Sequence, residues 1–205
     1  MRSTAWRSWW PSPRWDELTY WALDLETSGL SPAEDCIIAV GMVPIREGRI
    51  RYGERLTSLV RPPAGVPLST EGVGIHHLMP GDLSGAPAFE DLAPAIGRRL
   101  AEGPLVVHHA PLDIGFLKAA WRRLGASWPA PIVIDTQALL LRWHHRKHRF
   151  TPHPPRAPSG LADARLTLGL PTHREHDALS DALATAELLL ALRERLGVTR
   201  LRGLR

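Results

Sequence analysis

Cysteine is almost missing from this sequence of 205 residues, because Cys36 is the only one. A single cysteine cannot close an intrachain disulfide, so a disulfide-held scaffold is excluded and a reducing compartment fits. The sequence also has no apolar run of the roughly 20 residues that cross a bilayer. Its first residues are arginines and tryptophans rather than the apolar stretch of a secretory signal. These absences predict a cytoplasmic protein without a membrane partner.

Lysine is scarce as well, because Lys118 and Lys147 are the only two among 25 basic residues. The other basic residues are arginines, and the formal net charge is +4. This excess of positive charge is compatible with a polyanionic partner such as nucleic acid. A GC-rich coding sequence would also produce abundant arginine, alanine, proline and glycine. The charge alone therefore leaves both interpretations open.

The length predicts one domain with short appendages. Residues 1–17 form an expected arm, in which three tryptophans have helical spacing and the prolines after them stop a long helix. These indoles either pack on the back of the domain or dock a partner. We expect the domain to span residues 18–198 and a basic tail to occupy 199–205. Residues 142–160 are rich in proline, histidine and arginine, which predicts an exposed connection.

The hydrophobic pattern predicts three strands before the first long helix, and then short buried strands that alternate with helices. The expected strands lie at 19–25, 36–45, 49–62, 104–110 and 131–136. The expected helices lie at 86–103, 111–125, 137–148, 161–168 and 178–196. Three antiparallel strands followed by β-α-β-α units predict an α/β protein with a mixed five-stranded sheet flanked by helices. This is the element order of the ribonuclease H-like fold.

Two acids end the first predicted strand in the stretch YWALDLETSGLSP. Asp24 and Glu26 are two residues apart, so their side chains project to the same side of a strand. Neighbouring carboxylates repel each other, and their burial is costly unless a cation lies between them. Without other information, a solvated strand end explains the pair equally well.

Two further acids lie at the predicted starts of helices. Asp113 begins a helix after a buried strand, and Asp181 follows His176 by five residues in the first turns of the last helix. Strand ends and helix starts meet at one edge of an α/β sheet. Singly, Asp113 could cap its helix and Asp181 could be a surface acid. Together, four oxygen donors predict a site for Mg²⁺ or Mn²⁺, whereas zinc is disfavoured by the lack of a cysteine cluster.

Three motifs resemble those of the DEDDh 3′→5′ exonucleases, the DnaQ-like family that includes the proofreading ε subunit of bacterial DNA polymerase III. The motifs follow the family's order at 23–30 (LDLETSGL), 106–117 (VVHHAPLDIGFL) and 176–182 (HDALSDA). The segment GIHHLMPGDLSGAPAFEDL at 74–92 resembles a further family segment between the first two. The resemblance covers about residues 19–196 and implies a ribonuclease H-like exonuclease domain.

The resemblance also implies a two-metal mechanism of phosphodiester hydrolysis. Two Mg²⁺ or Mn²⁺ ions would be held by Asp24, Glu26, Asp113 and Asp181. Asp24 would bridge the ions, and Asp113 would act largely through water. His176 would take the proton from the attacking water, for which its unperturbed pKa of about 6.5 is suitable. The product would be a nucleoside 5′-monophosphate released from a free 3′ end.

Contacts to the terminal nucleotide are implied by the same motifs. They are expected from Thr27, Gly29, Leu30, His76, His109 and Phe116. The sequence departs from the family patterns at three positions, where Gly, Asn and Phe are replaced by His77, His109 and Leu112. These replacements could change how the nucleotide is held. They leave the expected metal ligands and the expected base in place. Phe116 could instead pack in the core, and structural roles remain open for the two histidines.

Three functions remain open from the sequence. The leading one is a 3′→5′ exonuclease acting on single-stranded DNA in proofreading or repair. The second is an exonuclease that trims RNA 3′ ends, because the motifs do not distinguish the sugar. The third is a polymerase-docking or nucleic-acid-binding subunit with little activity. All four carboxylates and the base are present, which favours an enzyme, and the arm is compatible with one that docks on a DNA polymerase subunit.

Overall fold

A mixed sheet forms the centre of the computed structural model, which describes residues 12–68 and 70–205. Most of the expected N-terminal arm, residues 1–11, lies outside the described residues. Four strands precede the first α-helix, and two more come later in the chain. They are β1 (Tyr20–Thr27), β2 (Ile37–Arg46), β3 (Arg49–Ile50), β4 (Leu56–Leu59), β5 (Leu105–Val107) and β6 (Val133–Asp135).

The sheet has the order β3-β2-β1-β5-β6, and β4 also pairs with β2. β2 runs antiparallel to β1, β3 and β4, whereas β5 runs parallel to β1 and β6. The predicted combination of antiparallel and then parallel strands is confirmed. The expected third strand is divided by a 3₁₀ turn at Tyr52–Glu54, so the sheet has six strands. Its sequence RYGER lacks the alternation of apolar and polar residues that a strand requires.

Seven α-helices occur among the described residues. They are α1 (Thr70–His76), α2 (Pro80–Ser84), α3 (Phe89–Glu102), α4 (Ala110–Arg123), α5 (Thr136–Lys147), α6 (Leu161–Thr167) and α7 (Ala178–Leu196). The five helices expected from the apolar spacing are all present, whereas α1 and α2 are too short to show a period. Residues 142–147 continue α5 rather than opening the expected connection, because Trp143 and His144 are buried there. None of the described helices is long and apolar enough to cross a membrane.

The two faces of β1 pack against different groups of helices. Tyr20 and Ala22 belong to a buried cluster with residues of α5, α6 and α7. Trp21, Leu23 and Leu25 belong to a second cluster with residues of α3 and α4. Because side chains alternate along a strand, the positions that follow Tyr20 and Ala22 in steps of two face α7. The acids of the LDLET motif are at these positions.

The two ends of the described chain lie together. The backbone N–H of Trp15 donates to the carbonyl of Thr199 at 3.1 Å, and Arg14 forms a β-bridge with Arg200. Leu201 in the following 3₁₀ turn is buried. The described end of the arm therefore packs on the C-terminal tail and on the end of the domain at which β1 begins.

Candidate active site

Three carboxylates converge where β1 meets the start of α7. Asp24 and Glu26 project from β1, and Asp181 lies in the first turn of α7. One oxygen atom from each of the three residues lies within 4.8 Å of the other two. The structure therefore brings together three of the four expected metal ligands, although Asp181 is far from the other two in the sequence.

Asp181 is held from the loop that precedes α7. Its Oδ2 accepts a hydrogen bond from the backbone N–H of His176 at 2.8 Å, and its Oδ1 lies 2.8 Å from Nε2 of His173. Asp177 caps the helix by accepting a hydrogen bond from Ser180 N–H at 2.9 Å. The ring of His176, the expected base, is exposed, and its backbone has a left-handed φ of 61°. Sequence reasoning passed over His173 because it stands outside the motif spacing.

Asp113, the fourth expected ligand, lies in the first turn of α4 and is 5% exposed. Asp113 is not part of the group formed by Asp24, Glu26 and Asp181, whose oxygen atoms lie within 4.8 Å of one another. Asp135 at the end of β6 holds the start of α4, because its carboxylate accepts hydrogen bonds from the N–H groups of His109 (3.1 Å) and Ala110 (2.9 Å). The sequence did not single out Asp135, although an Asp before a helix is a cap signal. It also caps α5 through Gln137 N–H at 2.9 Å.

The carboxylates are protonated more easily than ordinary acids. Burial raises the pKa of Asp24 well above its usual range, and repulsion by Asp113, Asp181 and Glu26 raises this pKa further. Burial and repulsion by Asp181 raise the pKa of Glu26 to about 7. Burial also raises the pKa of Asp113 to about 8, although backbone hydrogen bonds oppose this shift. Crowded, desolvated carboxylates of this kind are hard oxygen donors that fit a divalent cation.

The turn after Glu26 is held by contacts within the chain. A Cβ atom on Gly29 would lie 2.4 Å from Oδ2 of Asp35, while the expected contact of Gly29 with a nucleotide stays a prediction. The missing side chain therefore makes room for Asp35 of the same chain. Thr27 Oγ1 donates a hydrogen bond to the carbonyl of Gly29 at 2.7 Å, so the Thr27 side chain is directed toward the backbone of the turn. Leu30 is 80% exposed and is available to a ligand.

Asp35 holds this turn together. Its Oδ1 accepts a hydrogen bond from Ser28 Oγ at 3.0 Å, and its Oδ2 accepts one from the backbone N–H of Ser31 at 2.9 Å. Ser28 is fully buried and in turn accepts a hydrogen bond from Cys36 N–H at 3.0 Å. Arg123 of α4 donates to the Asp35 carbonyl at 2.8 Å. The turn between β1 and β2 is therefore a fixed support beside the carboxylates.

His76 is one of the expected nucleotide contacts and is buried at the end of α1. Its Nδ1 accepts a hydrogen bond from Leu78 N–H at 3.0 Å, whereas its Nε2 has no hydrogen-bond partner among the residues the structure describes. Burial lowers the pKa of His76, and the charges of His77 and His176 lower it further. His76 therefore lies in the electrostatic neighbourhood of His176.

The other two expected nucleotide contacts have different surroundings. His109 precedes α4 in a left-handed conformation with φ of 70°, and its Nδ1 lies 2.6 Å from Oε1 of Gln137. This conformation is one that Asn, the residue of the family pattern, adopts with less strain than most others. Phe116 is 1% exposed and packs in the cluster between the sheet and α4, as its core-packing interpretation requires.

Relatives of this chain are exonucleases or proteins similar to DNA polymerase subunits. Residues 21–189 match the RNase_T exonuclease family. A DNA polymerase III subunit epsilon-like protein of Rhodobacter capsulatus is 34% identical over 185 residues, which cover 86% of this chain and 24% of the relative. A DNA polymerase III PolC-type of Clostridium perfringens is 30% identical over 171 residues, which cover 83% of this chain and 11% of the relative. The chain thus spans about a quarter or less of these two relatives.

The fold is also that of solved exonucleases. Escherichia coli Exonuclease I, crystallised with a dT13 oligonucleotide, matches with a TM-score of 0.75 and 16% identity over 88% of this chain and 42% of that chain. The predicted ribonuclease H-like α/β fold is confirmed by this likeness and by the sheet topology. The family match runs from β1 into α7 and includes the strand and the helices that bear the four acids. The chain therefore belongs to the RNase_T family of DnaQ-like exonucleases.

Proposed function

We propose that this chain is a metal-dependent 3′→5′ exonuclease that hydrolyses phosphodiester bonds at the 3′ end of single-stranded DNA. The observation that supports this function most directly is the convergence of Asp24, Glu26 and Asp181 within 4.8 Å. Such a cluster is unfavourable in the absence of a counter-charge, because each carboxylate is desolvated and repels its neighbours. A divalent cation relieves both costs and can catalyse phosphodiester hydrolysis.

The carboxylates have distinct roles in this proposal. Asp24, Glu26 and Asp181 would hold one Mg²⁺ or Mn²⁺ ion, and Asp24 and Asp113 would help to hold a second. When bound, such ions activate water and stabilise the charge on the leaving 3′-oxygen. The network of Asp135 and the start of α4 keeps Asp113 at the edge of this site. Each acid is therefore positioned by an element that the core holds in place.

His176 serves as the general base that takes the proton from the attacking water. Its backbone N–H is held by Asp181 at 2.8 Å, so the residue is attached to the metal centre while its ring stays exposed. A histidine suits this task because its ordinary pKa is close to neutral pH. Its exposed ring can turn toward a bound 3′ end without breaking a contact in the core.

The substrate is held mainly by groups around the carboxylates. The exposed side chain of Leu30 packs against the terminal base. His76 contacts the terminal nucleotide after its ring shifts, because its unpartnered Nε2 is buried in the free chain. Support for single-stranded DNA comes from Exonuclease I, which was solved with an oligonucleotide. The polymerase-like relatives support a role in proofreading, with a DNA polymerase subunit as the partner.

Digestion of end-labelled nucleic acids tests the proposal. Purified protein with Mn²⁺ or Mg²⁺ should convert 5′-labelled single-stranded DNA into a ladder that shortens stepwise from the 3′ end, and EDTA should abolish the ladder. Asp24→Asn and Asp181→Asn should reduce the rate by at least about a hundredfold, since removal of one electrostatic stabiliser of the transition state costs that much. Glu34→Gln is the matched control, because Glu34 is an exposed acid outside the cluster.

The substrate specificity is read from parallel reactions. A DNA ladder at least as fast as an RNA ladder supports the proposed substrate, whereas degradation of RNA alone would replace it with RNA trimming. Full activity in EDTA or in Asp24→Asn would overturn the metal-dependent mechanism. Binding of oligonucleotide without any cleavage in Mn²⁺ would identify the chain as a binding subunit.

A further inference from the structure

We infer that His173 is a positioning residue of the metal centre, because it orients the Asp181 carboxylate for the cation. This inference rests on the proposed function, since it assumes that Asp181 holds a divalent ion. His173 lies outside the family motifs of the sequence, so neither those motifs nor the relatives assign it a role. It is the histidine whose ring contacts a member of the carboxylate cluster in the described part of the chain.

The geometry at Asp181 is that of a carboxylate restrained on both sides. Nε2 of His173 lies 2.8 Å from Oδ1, and the backbone N–H of His176 donates to Oδ2 at 2.8 Å. The side chains of His173 and Asp181 are only 9% and 10% exposed, so water does not compete freely for this contact. An ionised carboxylate only accepts hydrogen bonds, which requires Nε2 of His173 to carry the proton.

Two contacts leave Asp181 with spare acceptor capacity. Each carboxylate oxygen can accept about two hydrogen bonds or cation contacts. The two restraints therefore hold the plane of the carboxylate while one lone pair on each oxygen remains for an ion. Ligand carboxylates in metalloproteins are commonly held by such outer hydrogen bonds, and the loss of one weakens metal binding.

The loop that carries His173 is fastened at its start. The buried guanidinium of Arg165 donates to the carbonyl of Pro171 at 3.0 Å and to the carbonyl of Ala184 in α7 at 2.9 Å. Arg165 also forms an ion pair with Glu187 at 2.7 Å. The start of the loop is thus tied to the same helix that carries Asp181. This attachment reduces the conformational entropy lost when His173 contacts Asp181.

His173 and His176 have different tasks in this arrangement. The ring of His173 is directed at a ligand carboxylate and is largely buried, whereas the ring of His176 is exposed. A positioning residue affects metal affinity in the absence of substrate, and a general base affects the pH profile of turnover. The two roles are therefore separated by a binding measurement without nucleic acid.

Calorimetric titration of the full chain with Mn²⁺, without nucleic acid, tests the inference. His173→Met removes the donor and keeps a side chain of similar length, and His173→Gln retains an amide donor near the position of Nε2. We expect His173→Met to weaken Mn²⁺ binding about 10–100-fold, as the loss of an outer-shell partner does, and His173→Gln to recover most of the affinity. Glu175→Ala in the same loop is the exposed control and should bind Mn²⁺ as the wild type does.

The outcomes separate this inference from the proposed function. Wild-type affinity in His173→Met would overturn the inference, and tighter binding would show that His173 competes with the cation. Unfolding curves without Mn²⁺ identify a variant that fails to fold. If His173→Met fails to fold, His173→Ala, which also lacks the donor to Asp181, takes its place: it should weaken Mn²⁺ binding, and wild-type affinity in it would overturn the inference. If wild-type protein binds no Mn²⁺ and cleaves no DNA, the proposed function itself fails. If it does both and His173→Met binds equally well, only the role of His173 is lost.

Discussion

Gly41 of β2 lies so close to the start of α7 that a Cβ atom on it would stand 2.0 Å from the carbonyl oxygen of Ala178. Gly41 is also the residue paired with Asp24 across β1 and β2. The lack of a side chain lets the first turn of α7 approach the sheet at the position of Asp24, one of the proposed metal ligands. This close approach is what brings Asp181 to Asp24.

Gly41→Ala should therefore disrupt the metal centre without removing any ligand. The methyl group would meet rigid backbone atoms of Ala178 and Leu179, so α7 must move. We expect a loss of about 1–3 kcal/mol in the free energy of unfolding, typical of overpacking, and weaker Mn²⁺ binding. Urea unfolding and calorimetry measure the two effects. Gly53→Ala is the control, because a Cβ on Gly53 meets nothing within 4 Å, and equal behaviour of the two variants would contradict the prediction.

The metal-free protein should become less stable as the pH rises. Glu26 has an ordinary pKa of 4.5, which burial raises to about 7 in the folded chain. Between these values the folded state binds more protons than the unfolded state, so the free energy of unfolding falls as the pH increases. The shift corresponds to a loss on the order of 3 kcal/mol.

Glu26→Gln checks the origin of this pH dependence. The amide does not titrate, so unfolding in EDTA should depend less on pH between 4.5 and 7 than in the wild type. Mn²⁺ should stabilise the wild type more at pH 7.5 than at pH 5, because the cation binds the ionised carboxylates. Stability in EDTA that rises over this range would show that other groups dominate. Glu34→Gln again provides the exposed control.

His176→Asn should reduce turnover and leave Mn²⁺ binding intact. Asn tolerates the left-handed backbone found at this position, and its N–H can still donate to Asp181. Loss of a general base reduces kcat about 10²–10⁴-fold. Calorimetry and single-turnover cleavage of labelled DNA measure the two properties. Wild-type turnover in His176→Asn would assign the proton transfer to another group.

Asp135→Ala should destabilise the start of α4, which carries the second motif, although Asp135 is not one of the proposed metal ligands. Asp135 accepts hydrogen bonds from the backbone N–H groups of His109, Ala110 and Gln137, so its loss uncaps two helices at once. We expect a destabilisation of about 1–3 kcal/mol, together with slower cleavage as Asp113 shifts. Chemical denaturation and cleavage rates provide the measurements. Asp163→Ala, an exposed acid in the first turn of α6, should have a much smaller effect on both.

Most helices and strands, and the four acids, could be predicted from the sequence because they depend on patterns among neighbouring residues. α7 begins and ends where the pattern of ALSDALATAELLLALRERL predicts, because an Asp cap and a Gly stop enclose a long apolar repeat. β1, which carries Asp24 and Glu26, was recognised from its apolar run. The break between β3 and β4 and the short helices α1 and α2 were not predicted, because segments of this length show too few periods.

The supporting residues of the site could not be predicted, because they depend on contacts between distant elements. Gly41 resembled any glycine in a strand, and only the docking of α7 shows why a side chain is excluded. His173 lies eight residues before Asp181, a spacing without periodic meaning in a loop. The close approach of Asp35 to Gly29 was likewise not foreseen, because it depends on how the turn folds back on itself.

The separation of the ligands along the chain has a consequence for synthesis. β1 carries two of the acids near the beginning, α4 carries Asp113, and α7 supplies Asp181 only near the end of the chain. A nascent chain that has emerged as far as α5 holds three of the four acids and no complete cluster. Under the proposed function, the cation site is completed only when α7 has docked on β1 and β2. Nuclease activity would then depend on a finished fold.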